Sequence, residues 1–186
     1  MMRYTLTLCA CAAALLAGCT TSTPTRLEPT YAEAASSQFV TANREAINKL
    51  VAGFDLNATG GHPVLVATIV NVNDLRRSAP LGRTLSEQYA SHMVGAGFNV
   101  KEMKLRGDVF VKEETGELLL SREIKDIARS HHAAYVLVGT YSAAASFTYV
   151  SLKFVRTEDG SIIRAHDYAL PNDKDIVKLL QVTTSR

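Results

Sequence analysis

The sequence predicts an α/β fold of the α+β-like kind. It has a mixed five-stranded sheet in the order β-α-β-α-β-β-β, with helices mainly on one face, plus an N-terminal helix and a short C-terminal helix. Three observations predict it. Apolar β-rich runs alternate with helical periodicity through the middle of the chain, which demands crossovers and parallel neighbours. The last third holds three strand-like runs separated only by short turns, which demands antiparallel hairpins. A polar, proline-containing stretch divides all of this from an apolar leader.

The leader is residues 1–18. Arg3 gives a minimal positive start, and residues 4–17 are an uncharged, mostly apolar run of 14, too short to span a bilayer as a helix. Leu16-Ala17-Gly18-Cys19 is similar to the lipobox of bacterial lipoproteins, in which the chain is cut before the cysteine and the cysteine is acylated. That similarity makes Cys19 the lipidation site, carrying acyl chains such as palmitate. Several buried chains anchor a protein durably where one binds only marginally. Cys9 and Cys11 leave with the leader, so the mature domain has no thiol for a disulfide, a zinc site or a nucleophile. Thr20, not Asp, follows the cysteine, which by resemblance to sorted lipoproteins implies the outer membrane, facing the periplasm. Residues 19–29 form a polar tether that reaches on the order of 35 Å when extended.

Thr30 and Glu33 have the spacing of a capping box and open the expected helix over 30–54, with Phe39, Ala42, Ala46, Ile47, Leu50 and Phe54 on its apolar face. The α/β domain is expected over 63–181. Residues 63–70 (PVLVATIV) suit a buried strand. Pro80 opens a helix carrying Leu81, Leu85, Tyr89 and Met93, and Gly97 ends it. Residues 98–104 give the second strand. Residues 105–120 are less regular, with a turn at Glu113-Glu114-Thr115-Gly116; Ser121 then caps a helix with Glu123 in its first turn. Strands over 134–141, 147–156 and 161–169 follow, the last pair joined at Asp159-Gly160. A short helix over 175–181 closes the chain.

Composition narrows the function. Losing the leader removes Arg3 and no acid, so the formal balance drops from +2 to +1. No basic block exists to release counterions, so nucleic acid is not an expected partner. His62, His92, His131, His132 and His166 form no zinc-ligand spacing, and there is no nucleophile elbow or phosphate-binding glycine loop. Arg76 and Arg77 could offer charge to an anion, though a solvated loop explains them as well. No catalytic residue, cofactor or metal is implied, and the expectation is a structural or binding protein rather than an enzyme.

Five groups of residues carry a further resemblance: Leu81-Gly82 with Glu87; Gly97-Phe98-x-Val100-x-Glu102; Gly116-Glu117-Leu118-Leu119-Leu120-Ser121-Arg122-Glu123; Tyr135 to Ser142, which contains Gly139-Thr140-Tyr141; and Tyr168-Ala169-Leu170-Pro171. The chain resembles the FlgO family of flagellar outer-membrane lipoproteins, whose domain is similar in fold to the amino-terminal domain of TolB. The resemblance implies a non-catalytic part that supports the flagellar basal body and motility. Its implied partners are basal-body or other envelope proteins, with a homo-oligomer as a further option. Gly116, Glu117, Leu118, Leu120, Ser121, Arg122, Gly139, Thr140 and Tyr141 are family-motif residues, read as architecture rather than interface. The alternative is a TolB-like periplasmic module that regulates a peptidoglycan synthase or secretion complex. The short tether counts against that alternative, because such a module must reach across the periplasm.

Overall fold

The computed structural model describes residues 28–75, 79–103, 110–112, 118–120 and 122–181, with the backbone alone at 102–103, 110–112, 118–120 and 122–124. The chain divides into two units, Met1–Ala34 and Ala35–Arg186. In the first, the capping box forms. Thr30 Oγ1 accepts from the Glu33 N–H at 3.1 Å, and the Glu33 carboxylate accepts from the Thr30 N–H and hydroxyl. These donors hold the Glu33 carboxyl below its ordinary value.

The helix expected over 30–54 is two helices, α1 (Tyr31–Ala35) and α2 (Gln38–Leu50). The break falls at Ser36-Ser37. Ser37 takes an extended ψ of 146° and its hydroxyl accepts from the Val40 N–H, so it starts a new helix. A serine hydroxyl that competes for backbone donors caps a helix more readily than it continues one. Helix α2 ends before Gly53, whose φ of +66° a side chain would resist.

In the second unit the strands are β1 (Val64–Ala67), β2 (Val70–Asn71), β3 (Val100–Met103), β4 (Phe110–Lys112), β5 (Leu118–Leu120), β6 (Tyr135–Ala143), β7 (Phe147–Arg156) and β8 (Ile162–Pro171). The remaining helices are α3 (Pro80–Gly95), α4 (Arg122–Ser130) and α5 (Lys174–Leu180). The mixed sheet runs β3-β1-β6-β7-β8, with β2 also beside β6; β4 and β5 pair as a separate antiparallel hairpin. Strand β1 is parallel to β3 and β6, whereas β7 is antiparallel to both β6 and β8. The fold class is the one the sequence predicts.

One detail differs from expectation, for a physical reason. The first expected strand is split. Val66 pairs with Leu137 and Val70 with Thr140, so one more residue lies between the pairs on this strand than on β6. The extra residue is a bulge opposite Gly139, and it changes which residues face which way. Val64, Val66 and Ile69 join one core, while Leu65, Ala67 and Val70 join the other. The helices lie mainly on one face, as expected. Helices α2, α3 and α5 cover the first face with Ile47, Leu50, Leu81, Leu85, Tyr89, Met93 and Ile176. Helix α4 packs Ala128 and Ile127 on the opposite face. The chain steps from β1 out to β3, then back past β1 to β6. Crossovers of one hand that travel in opposite directions lie on opposite faces.

Candidate functional site

The side chains of β7 alternate strictly. Thr148, Val150, Leu152 and Phe154 are buried beneath α2 and α3. The alternate set changes along the strand: Val155 is buried in the core under α4, Lys153 and Ser151 are half-buried, and Tyr149 and Phe147 are 55% and 43% exposed. The short α4 therefore leaves one end of this face open. Register defines the open surface. Tyr149 lies between Ser142 and Ala169, and Ser151 between Thr140 and Asp167. Together with Val72 these residues line an open, mainly apolar hollow of about 540 Å³. Small side chains make its floor, Tyr149 its wall, and exposed Asp167 its charge. This is the candidate interaction surface. No motif marks Tyr149 in the sequence; its signal is an aromatic on the half-polar side of an alternating strand.

Gly139, Thr140 and Tyr141 of β6 lie at or beside this surface. A Cβ on Gly139 would come within 2.6 Å of the Ser151 carbonyl oxygen and 3.1 Å of Ile69. Only glycine fits between the bulge and β7. Thr140 is buried on the open-face side of the sheet. Tyr141 accepts at its hydroxyl from the Ala79 N–H, 3.3 Å away, and so holds the start of α3. Leu118 and Leu120 are in β5, and Arg122 is the first residue of α4. Gly116, Glu117, Ser121 and Cys19, together with Arg76 and Arg77, lie outside the described residues.

On the covered face a polar clasp joins three elements. The Tyr89 hydroxyl donates to the Tyr168 hydroxyl, which donates to Asn43 Oδ1, and Asn43 Nδ2 donates to Gln88 Oε1 at 2.6 Å. The chain of donors thus runs from α3 to β8 to α2 and back to α3. Burial pushes both phenols above their ordinary value, with the neighbouring Tyr168 adding to the effect on Tyr89. Tyr168→Phe would strand Asn43 Oδ1 without a donor and Tyr89 without an acceptor. The expected loss is about 1–3 kcal/mol in urea unfolding at pH 7. The raised phenol values stabilise the fold fully below about pH 10, and this contribution drains as pH rises beyond it. The variant should therefore lose less stability than the parent on going from pH 9 to pH 11.

The histidines stay apart. His62 and His132 border a separate shallow hollow with Arg129 and Glu158, and His166 stacks on Tyr168. His132 takes a φ of +51° and ends α4 in a Schellman turn, with the Ala133 N–H bonded to Ala128 O and the His132 N–H to Arg129 O. Burial and the nearby Arg44 lower the His92 imidazole below its ordinary value. Among the described residues no group of three or more potential ligands is placed to hold a metal ion. Nor, among them, is any helix long and apolar enough to cross a membrane.

Comparison with known proteins places the chain. No curated protein matches it. Among solved structures, the chain is similar to the LpoB C-terminal domain from Escherichia coli at 16% identity and a TM-score of 0.48, covering 72% of this chain and 98% of that one. The same domain from Salmonella enterica gives 17% identity and a TM-score of 0.46, with 72% and 98% covered. A variant PelC dodecamer from Paraburkholderia phytofirmans gives 16% and 0.45, with 61% and 74% covered. These likenesses are distant and partial. The sequence match to a family is decisive: the family described as FlgO protein covers residues 44–175, from the middle of α2 into α5. That span takes in the sheet, the open surface and three of the four clasp residues, Gln88, Tyr89 and Tyr168. Family and leader agree on a lipoprotein of the cell envelope, and the chain belongs to the FlgO family.

Proposed function

We propose that this chain is an outer-membrane lipoprotein, anchored through Cys19 and facing the periplasm, that acts as a non-catalytic structural or assembly component of the flagellar basal body and so supports motility. The observation that carries the reading is the FlgO family match over 44–175, downstream of the lipobox. The non-catalytic part draws support from where the polar side chains of the covered face are engaged. Asn43, Gln88, Tyr89 and Tyr168 are occupied by one another. The open surface on β7 suits a protein neighbour in the envelope.

Deletion of the gene is expected to abolish most swimming in soft agar, and isolated basal bodies should contain the protein. Exported Cys19→Ser should fold normally yet fail to restore swimming, because an untethered domain is diluted through the periplasm. Normal swimming of the deletion strain, with no protein in basal bodies, would overturn the flagellar role. Full rescue by the soluble variant would overturn the anchoring role alone.

A further inference from the structure

The sheet ends on β8, and this edge is unlike most natural edges. It is ten residues long, whereas the opposite edge, β3, has four. Among the described residues its outer backbone is engaged only at the very end, where the Pro171 carbonyl accepts from the Asp173 N–H at 2.9 Å. Proteins usually blunt such an edge with charged side chains, lysine above all, or with prolines, bulges or short length. Here a bulge sits near the start, with Ile163 the extra residue between the Phe154–Arg164 and Val155–Ile162 pairs, and the proline is the final residue, Pro171. The seven residues between, Arg164 to Leu170, contain no lysine, proline or glycine, and their charges are those of Arg164 and Asp167.

The edge is also continuous with the open surface, since Asp167 and Ala169 of β8 border the hollow beside Tyr149. An added strand would lie about 4.8 Å outside β8, with alternate side chains over this face. A residue opposite Ala169 would meet only a methyl group, so a long apolar side chain there could reach the Tyr149 ring behind it. Two places along the same face, a residue would stand opposite the Asp167 carboxylate. We propose that β8 accepts an extended segment of a partner protein as an extra strand. The segment it fits carries an apolar side chain two residues from a lysine or arginine. A second copy of β8 fits less well, because pairing about a two-fold axis through the middle of the strand brings Asp167 towards its own counterpart. The inference is independent of the flagellar role, since it concerns the chemistry of the edge alone.

The test uses the full-length acylated protein in detergent micelles and two ten-residue threonine-rich peptides. One carries Phe and Lys two positions apart; the other carries them adjacent, and so on opposite faces. Binding is read by fluorescence anisotropy and amide exchange by mass spectrometry. The spaced peptide should bind about tenfold more tightly than the adjacent one, with new protection confined to β8. Asp167→Lys, a change at an exposed position, should weaken binding of the spaced peptide roughly fivefold, and a peptide with Glu in place of Lys should restore it. Equal binding of the two peptides, or protection away from β8, would overturn the proposal. So would a protein that is already dimeric without peptide, with β8 protected, which would make a second copy the occupant.

Discussion

Phe154→Ala should lower the unfolding free energy by about 3–5 kcal/mol, the largest effect expected of any single truncation in this core. Phe154 is fully buried on β7 and meets Tyr135 at 5.1 Å, Phe54 at 5.4 Å and Phe98 at 5.9 Å between ring centres. These neighbours come from three other stretches of chain: the loop after α2, the turn after α3, and strand β6. Removing the ring deletes its transfer free energy and leaves a cavity walled by three rigid rings that cannot collapse into it. Domains of this size are stable by about 5–15 kcal/mol, so the loss takes a large fraction of the total. Urea unfolding followed by circular dichroism would measure it. Phe154→Leu, which keeps most of the volume, should cost clearly less. Equal losses for the two variants would show that cavity formation is not the cause.

Gly139→Ala comes next, at about 2–4 kcal/mol. The cause is crowding alone, since the residue is not in the left-handed region. The nearest obstacle to the new methyl is the Ser151 main-chain oxygen at 2.6 Å, followed by Leu152 at 2.9 Å and Ile69 at 3.1 Å. A side chain can turn aside; a carbonyl in the β6–β7 ladder cannot move without opening the sheet. Adding Ile69→Val to Gly139→Ala should therefore recover little of the lost stability. Full recovery in the double variant would show that Ile69, rather than the backbone of β7, is the limiting contact. The same opening would tilt the Thr140–Ser151–Asp167 row of the candidate surface, so an intact fold with normal strand addition at β8 is not expected from this variant.

Much of the fold is local chemistry, and the sequence alone determined that part. Strand and helix runs follow from apolar periodicity, the capping box from Thr30 and Glu33, and the order of crossovers and hairpins from the lengths between strands. The Cys19 lipobox and the FlgO motifs are likewise patterns of neighbouring residues. What tertiary structure decided rests on long-range geometry. The bulge at Thr68-Ile69 exists because β1 must meet β6 in a register that buries both Ile69 and Val70. The strict need for glycine at 139 then follows from the close approach of β7. Asn43, Gln88, Tyr89 and Tyr168 lie up to 125 residues apart in the chain, and no spacing announces that they share one chain of hydrogen bonds. The open surface depends on where α4 stops covering the sheet, and the free edge on β8 being the outermost strand. Local pattern selects the elements; only packing selects which of their faces and edges are left for another molecule to use.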